Sequence, residues 1–117
     1  MIKNANVTVM VSDMERSIRF YTESLGLKLK KRFGNEWAEV ETQDLTIGLH
    51  PAEKNAKAGG KGTLSIGFTV SDMEEATSEL KKKGVKFQKH EDSAAFFAFF
   101  QDPDGTPLYF FQLKFSA

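Results

Sequence analysis

A chain of 117 residues, 40% hydrophobic and 27% charged, suits one globular domain with a core of its own. Lys+Arg and Asp+Glu balance at 16 each, and no stretch interleaves basic charge with aromatics, which argues against a nucleic-acid partner. The absence of cysteine excludes disulfides, thiolate metal sites and a thiol nucleophile.

No basic-then-apolar leader opens the chain, and no apolar run approaches the ~20 residues of a membrane span. A soluble cytoplasmic protein with no membrane partner is therefore expected. From Asn6 to Val11 the chain alternates, with Val7, Val9 and Val11 on one face and Asn6, Thr8 and Met10 on the other. This predicts a strand between two different environments. Ser12 is placed to cap a helix, and Glu15 completes a capping box. Met14, Ile18, Tyr21 and Leu25 form one apolar helical stripe, which Gly26 stops. Residues 27–33, 36–41 and 45–50 read as three more strands, separated by turns at Gly34-Asn35 and Gln43-Asp44. Residues 51–62 hold nothing apolar larger than alanine after Pro51 and read as a linker. Its Gly59-Gly60-Lys61-Gly62 run lacks the flanking strand and helix of a phosphate site.

The phrase Val11-Ser12-Asp13-Met14-Glu15 then returns as Val70-Ser71-Asp72-Met73-Glu74, and the plan repeats around it. Leu64, Ile66, Phe68 and Val70 share one strand face, and Ser71 with Glu74 forms a second capping box. Met73, Ala76 or Thr77, and Leu80 mark the helix stripe, with Lys81 to Lys83 at its C-terminus and Gly84 after it. Strands follow at 85–89, 96–100 and 108–115, the last after a turn at Asp102-Pro103-Asp104-Gly105. The run Phe96-Phe97-Ala98-Phe99-Phe100 does not alternate, which predicts a strand buried on both faces, one against the helix and one against a cavity or partner. The organisation expected is one domain, 1–117, made of module 1–50, linker 51–62 and module 63–117.

Two βαβββ units, the repeated phrase, Phe20-Tyr21-x3-Leu25-Gly26-Leu27 and Asp102-Pro103-Asp104-Gly105 together resemble the vicinal oxygen chelate superfamily. That superfamily includes glyoxalase I, bleomycin-resistance proteins, fosfomycin-resistance enzymes and extradiol dioxygenases. The resemblance implies an α+β fold: two tandem βαβββ modules forming a curved mixed sheet, a half-barrel with helices on the outer face and a concave cavity inside. Metal-using members hold four ligands, usually His and Glu or Gln, on the inward faces of first and last strands. The first histidine of that pattern lies five residues before the valine of the repeated phrase, which is Asn6 here, with Ser65 as its counterpart. The carboxylate or amide positions fall at Gly48 and Tyr109. None of the four is a credible metal ligand. No metal and no cofactor are expected, and the family's metal-dependent reactions look unavailable.

Several residues keep two readings open. His50, on the face of Gly48 at a strand end, is either a solvated histidine or an acid–base group at the cavity mouth. His90 reads as a loop residue. Trp37 serves either core or interface packing or as a ligand platform. Tyr109 and Phe111 either line a cavity around a planar ligand or fill it. The ligand-binding set expected is Asn6, Thr8, Trp37, Gly48, His50, Ser65, Tyr109 and Phe111. The function expected is metal-independent binding of a small, partly aromatic or hydrophobic molecule, as in sequestration or sensing, by a homodimer. The alternatives are a glyoxalase-type lyase or isomerase, or a dioxygenase-related enzyme, using a displaced or non-metal site with His50. A scaffold whose cavity is filled, acting through protein contacts, is the third.

Overall fold

In the computed structural model, which describes residues 6–52 and 64–114, the chain divides into two units, Met1–Gly60 and Lys61–Ala117. The first runs β1 (Val7–Val11), α1 (Met14–Arg19), β2 (Lys28–Phe33), β3 (Trp37–Glu41) and β4 (Thr46–Pro51). The second repeats it with β5 (Ile66–Thr69), α2 (Met73–Lys82), β6 (Gln88–Glu91), β7 (Ala95–Gln101) and β8 (Pro107–Leu113). Each unit builds one four-stranded sheet, ordered β1-β4-β3-β2 and β5-β8-β7-β6. First and last strands pair in parallel and the other pairs are antiparallel, so both sheets are mixed and the fold is α+β. Among the described residues no helix is long and apolar enough to cross a membrane.

Two contacts identify the face that each helix covers. Arg32, opposite Ala38 in the β2–β3 register, reaches Glu15 of α1 at 3.5 Å. Ala38 and Val40, with Ile47 and Leu49 beside them on β4, therefore face α1, and all four are fully buried. In the second unit the side-chain oxygen of Gln112 accepts the Met73 N–H at 2.7 Å. Leu108 and Phe110 share that face by alternation and are buried against α2 with Ile66, Ala98 and Phe100. Burying aliphatic and aromatic side chains of this size stabilises each unit by about 1.5–3 kcal/mol apiece. Among the described residues, the opposite face of each sheet carries no helix of its own unit.

Several expectations need correcting. The caps are Asp13 and Asp72, not Ser12 and Ser71: each aspartate is extended and accepts a backbone N–H, from Arg16 at 3.0 Å and from Glu75 at 3.1 Å. Met14 and Met73 are the first buried helix residues, so the residue directly before each becomes the cap. The first helix is not uniform, since it passes into a π-helical turn over Phe20–Ser24. There Leu25 N–H bonds Phe20 O at 3.0 Å, and the Thr22 hydroxyl donates to Ile18 O at 2.7 Å. This wider turn keeps Tyr21 fully buried. In α2 the open choice falls on Thr77, buried and bonded through its hydroxyl to Met73 O.

Leu64 precedes β5 and is 71% exposed, off the face expected for it. The strand expected at 85–89 lies at Gln88–Glu91, because Phe87 turns into the core against Phe100 and Phe110 instead. His90 is thereby a strand residue paired with Phe97, not a loop residue. β4 extends through Pro51, and the Ala52 N–H bonds Val11 O. The rest of the expected linker, from residue 53, lies outside the described residues, which resume at residue 64. The phenylalanine strand is covered at Ala98 and Phe100 on the helix side, whereas Phe99 on the other face is exposed within this chain, as is Phe96 near the strand's start.

Asp92 holds the β6–β7 turn by accepting the Ala94 and Ala95 N–H groups at 2.8 and 2.9 Å. Those backbone bonds keep its carboxyl below the ordinary value of 3.8. A depressed carboxyl contributes stability above its unfolded pKa and loses it as pH falls through the folded one. Asp92→Asn accordingly removes a contribution that is full above pH 3.8 and titrates away as pH falls below it, read by hydrogen exchange of the hairpin amides across pH. Asp13→Ala and Asp72→Ala each cost about 1 kcal/mol in urea denaturation, while Ser12→Ala and Ser71→Ala stay within about 0.5 kcal/mol.

Candidate functional site

The candidate surface is the helix-free face of each sheet. On the first, Thr8, Gly48 and His50 lie side by side through the β1–β4 register, in which Thr8 pairs with Gly48 and Met10 with His50. Glu39 stands opposite Gly48 on β3, which puts Trp37 and Glu41 on the same face. The far end of the Trp37 indole sits over Gly48, where an added Cβ would stand 2.6 Å from the ring carbon Cζ2. A side chain there would compete with the indole for the same space and would force the ring to move. Trp37 is half-buried, its Nε1–H donates to Glu39 Oε2 at 2.8 Å, and the His50 ring meets it edge-on with centroids 6.2 Å apart.

His50 Nδ1 lies 2.7 Å from the Pro51 carbonyl, which can only accept. The proton therefore sits on Nδ1, and Nε2 is the nitrogen able to take a proton or a hydrogen bond. Asn6 is exposed just before β1.

On the second sheet Tyr109 pairs with Gly67 across the parallel β5–β8 ladder, and its ring covers that glycine. A Cβ on Gly67 would stand 2.5 Å from Tyr109 Cε2. Phe97, Phe99, Tyr109 and Phe111 form a four-ring sheet of side chains. Phe97 stacks on Phe99 at 5.9 Å, Phe99 meets Tyr109 at 5.8 Å, Tyr109 meets Phe111 at 6.0 Å and Phe97 meets Phe111 at 6.5 Å. Phe99 remains 43% exposed, so the rings form a surface rather than a sealed core. His90 borders it, 6.0 Å from Phe97. Ser65 is exposed ahead of β5.

The structure thus brings Thr8, Trp37, Gly48 and His50 onto one face, and Tyr109 and Phe111 onto another, with Asn6 and Ser65 at the margins. Sequence reasoning left Phe97, Phe99 and Gly67 out of the expected set. The alternation Phe97, Phe99, Gln101 on β7 could have found the first two.

The residues at the four ligand positions do not fit a divalent metal. Gly48 is closed by an indole, Tyr109 presents a phenol laid over glycine, and Asn6 and Ser65 offer neutral oxygens. Among the described residues no three His, Asp or Glu side chains converge as a metal cluster.

Gly48→Ala is expected to destabilise the protein by about 1–3 kcal/mol through overpacking against Trp37, although alanine ordinarily suits a strand better. In a Trp37→Ala background the same change becomes neutral or stabilising. A double-mutant cycle by thermal denaturation measures the coupling, and Gly67→Ala with Tyr109→Ala repeats the test.

A family model for the Glyoxalase/Bleomycin resistance protein/Dioxygenase superfamily matches residues 4–110. The glutathione transferase FosA of Serratia marcescens is 32% identical over 113 residues, covering 92% of this chain and 79% of that protein. The structure of TnmS3, an antibiotic binding protein from Streptomyces sp. CB03234, superposes with a TM-score of 0.79 at 23% identity, covering 97% of this chain and 100% of the other. A glyoxylase/bleomycin resistance protein/dioxygenase domain from Frankia sp. EAN1pec superposes with a TM-score of 0.79 at 22% identity, covering 100% and 96%. With the matched model spanning both βαβββ units and the two sheets ordered alike, the chain belongs to the Glyoxalase/Bleomycin resistance protein/Dioxygenase superfamily.

Proposed function

We propose that the protein binds a small, planar, partly aromatic molecule on the helix-free face of its sheets, without a metal. The observation that carries this reading is the seating of an aromatic ring on a bare glycine backbone in each unit, Trp37 over Gly48 and Tyr109 over Gly67. A ring already packed against backbone has less freedom left to lose, so a ligand stacks on its remaining apolar surface at little further entropic cost. Around Tyr109, Phe97, Phe99 and Phe111 extend that surface well beyond one ring. On the first sheet Asn6, Thr8 and His50 supply polar groups beside Trp37, and on the second Ser65 supplies one at the margin of the aromatic surface. The fold is shared with an antibiotic binding protein, so holding a small molecule is a use this scaffold sustains. Pairing of two copies belongs to the same proposal and is measured by sedimentation.

A catalytic reading has one observation in its favour. His50, with Nδ1 tied to Pro51 O, keeps Nε2 poised to accept a proton beside Trp37. In the catalytic reading the parent consumes its substrate and His50→Gln abolishes turnover, whereas in the binding reading neither form consumes the ligand, so substrate-consumption assays on both forms separate them.

For binding, the measurement is calorimetry with neutral compounds of two or three fused rings, acridone among them. Tyr109→Ala is expected to lower affinity by about tenfold, the weight of one ring stack at about 1.4 kcal/mol. Prior dialysis against EDTA leaves affinity unchanged. Binding that disappears with EDTA and returns with a divalent metal overturns the reading, as does failure of every planar compound to bind.

A further inference from the structure

The first sheet's open face holds charge as well as an aromatic ring. β2 pairs with β3 through a register break between Leu29 and Lys31, so Lys30 is the extra residue of a bulge. Bulges re-aim side chains, and this one sends the Lys30 ammonium to 4.0 Å from Glu39 Oε1 and 3.9 Å from Glu41 Oε2. Both separations are long, since a charge-assisted bond closes at about 2.7–2.9 Å. The Glu39 side chain is only 14% exposed, and its short bond is from a neutral donor, the Trp37 indole N–H. A carboxylate removed this far from water, with its cation held at a distance, is incompletely compensated. Its oxygen Oε1 points to the loosely held lysine, and the π surface that also attracts cations lies next to it on Trp37.

We propose that Glu39 and Trp37 select a planar ligand carrying an amine or amidine cation, with Lys30 as a displaceable internal counter-ion. This rests on the reading of Trp37 as a ligand platform. Lys30 is suited to leave: its side chain is 44% exposed, its stem is flexible, and loose pairs of this kind are weak. The ligand's cation takes the close approach to Oε1 that Lys30 does not make, while its ring stacks on the indole. Glu41 stands ready to keep Lys30 paired once it moves aside. A neutral planar molecule still stacks but gains nothing from the carboxylate.

The test compares 9-aminoacridine, a planar cation at neutral pH, with neutral acridone, both followed through Trp37, the chain's one tryptophan. The parent is expected to bind the cation at least about tenfold more tightly, and the preference shrinks as salt rises. Glu39→Gln, scored on protein with the parent's far-UV spectrum, reduces the preference to about twofold and keeps acridone binding. Lys30→Ala acts in the opposite direction and raises cation affinity several-fold, an effect that loss of packing does not produce. Equal affinity for the two probes in the parent overturns the inference and leaves the aromatic reading standing. So does a preference that survives Glu39→Gln, or a fall in cation affinity in Lys30→Ala. If neither probe perturbs Trp37, the platform itself is refuted and the inference with it.

Discussion

Both open faces depend on the parallel pairing of first and last strands within each unit. That ladder sets Thr8 beside Gly48 and Gly67 beside Tyr109. One member of each pair is a glycine, which leaves a patch of bare backbone on an inner strand in the first sheet and on the edge strand β5 in the second. Into each patch settles a ring, from the neighbouring strand β3 in the first unit and from β8 itself in the second. Backbone and ring then exclude water from one another, and the strand is protected although no helix covers it. Small residues in strands usually weaken them, but here the missing side chain makes room for a larger one.

The same geometry replaces one kind of chemistry with another. Positions suited to holding a cation through imidazole and carboxylate instead present an indole, a phenol and neutral oxygens. Affinity from such a surface comes from apolar contact and π stacking, which are tolerant of ligand identity, with directionality added by a few polar groups. In the first unit those groups include Glu39, tied to the indole, and Lys30, re-aimed by a bulge. In the second unit the surface is nearly all aromatic. The two units share a plan and a register but differ in the character of the face they offer.

Much of the plan was legible in the chain. The duplicated Val-Ser-Asp-Met-Glu phrase located two units, and valine alternation at 7, 9 and 11 located a strand with one buried face. Alternation and the distance from the Asp-Pro-Asp-Gly turn set Gly48 beside Tyr109 as equivalents, and in the structure each pairs with the equivalent residue of its first strand. Errors arose where a local rule met a tertiary one. Ser12 and Ser71 satisfy the capping-box pattern, yet the buried Met14 and Met73 fix the helix start one residue further on. Phe87 has the makings of a strand residue, but the core beside Phe100 and Phe110 claims it, and β6 slides toward His90.

What the sequence determined by itself was periodicity and equivalence: which residues alternate, where helices start and stop, and which positions of the two halves correspond. These follow from local geometry, with side chains repeating every two residues in a strand and turns requiring glycine at Gly26 and Gly84. Only the tertiary structure decided what lies over what. That Trp37 covers Gly48, that Tyr109 covers Gly67, and that Lys30 faces two glutamates all depend on cross-strand neighbours and on one bulge. Register between strands is a non-local property, set by which packing buries most apolar surface, and a single extra residue redirects a charge that no sequence spacing announces.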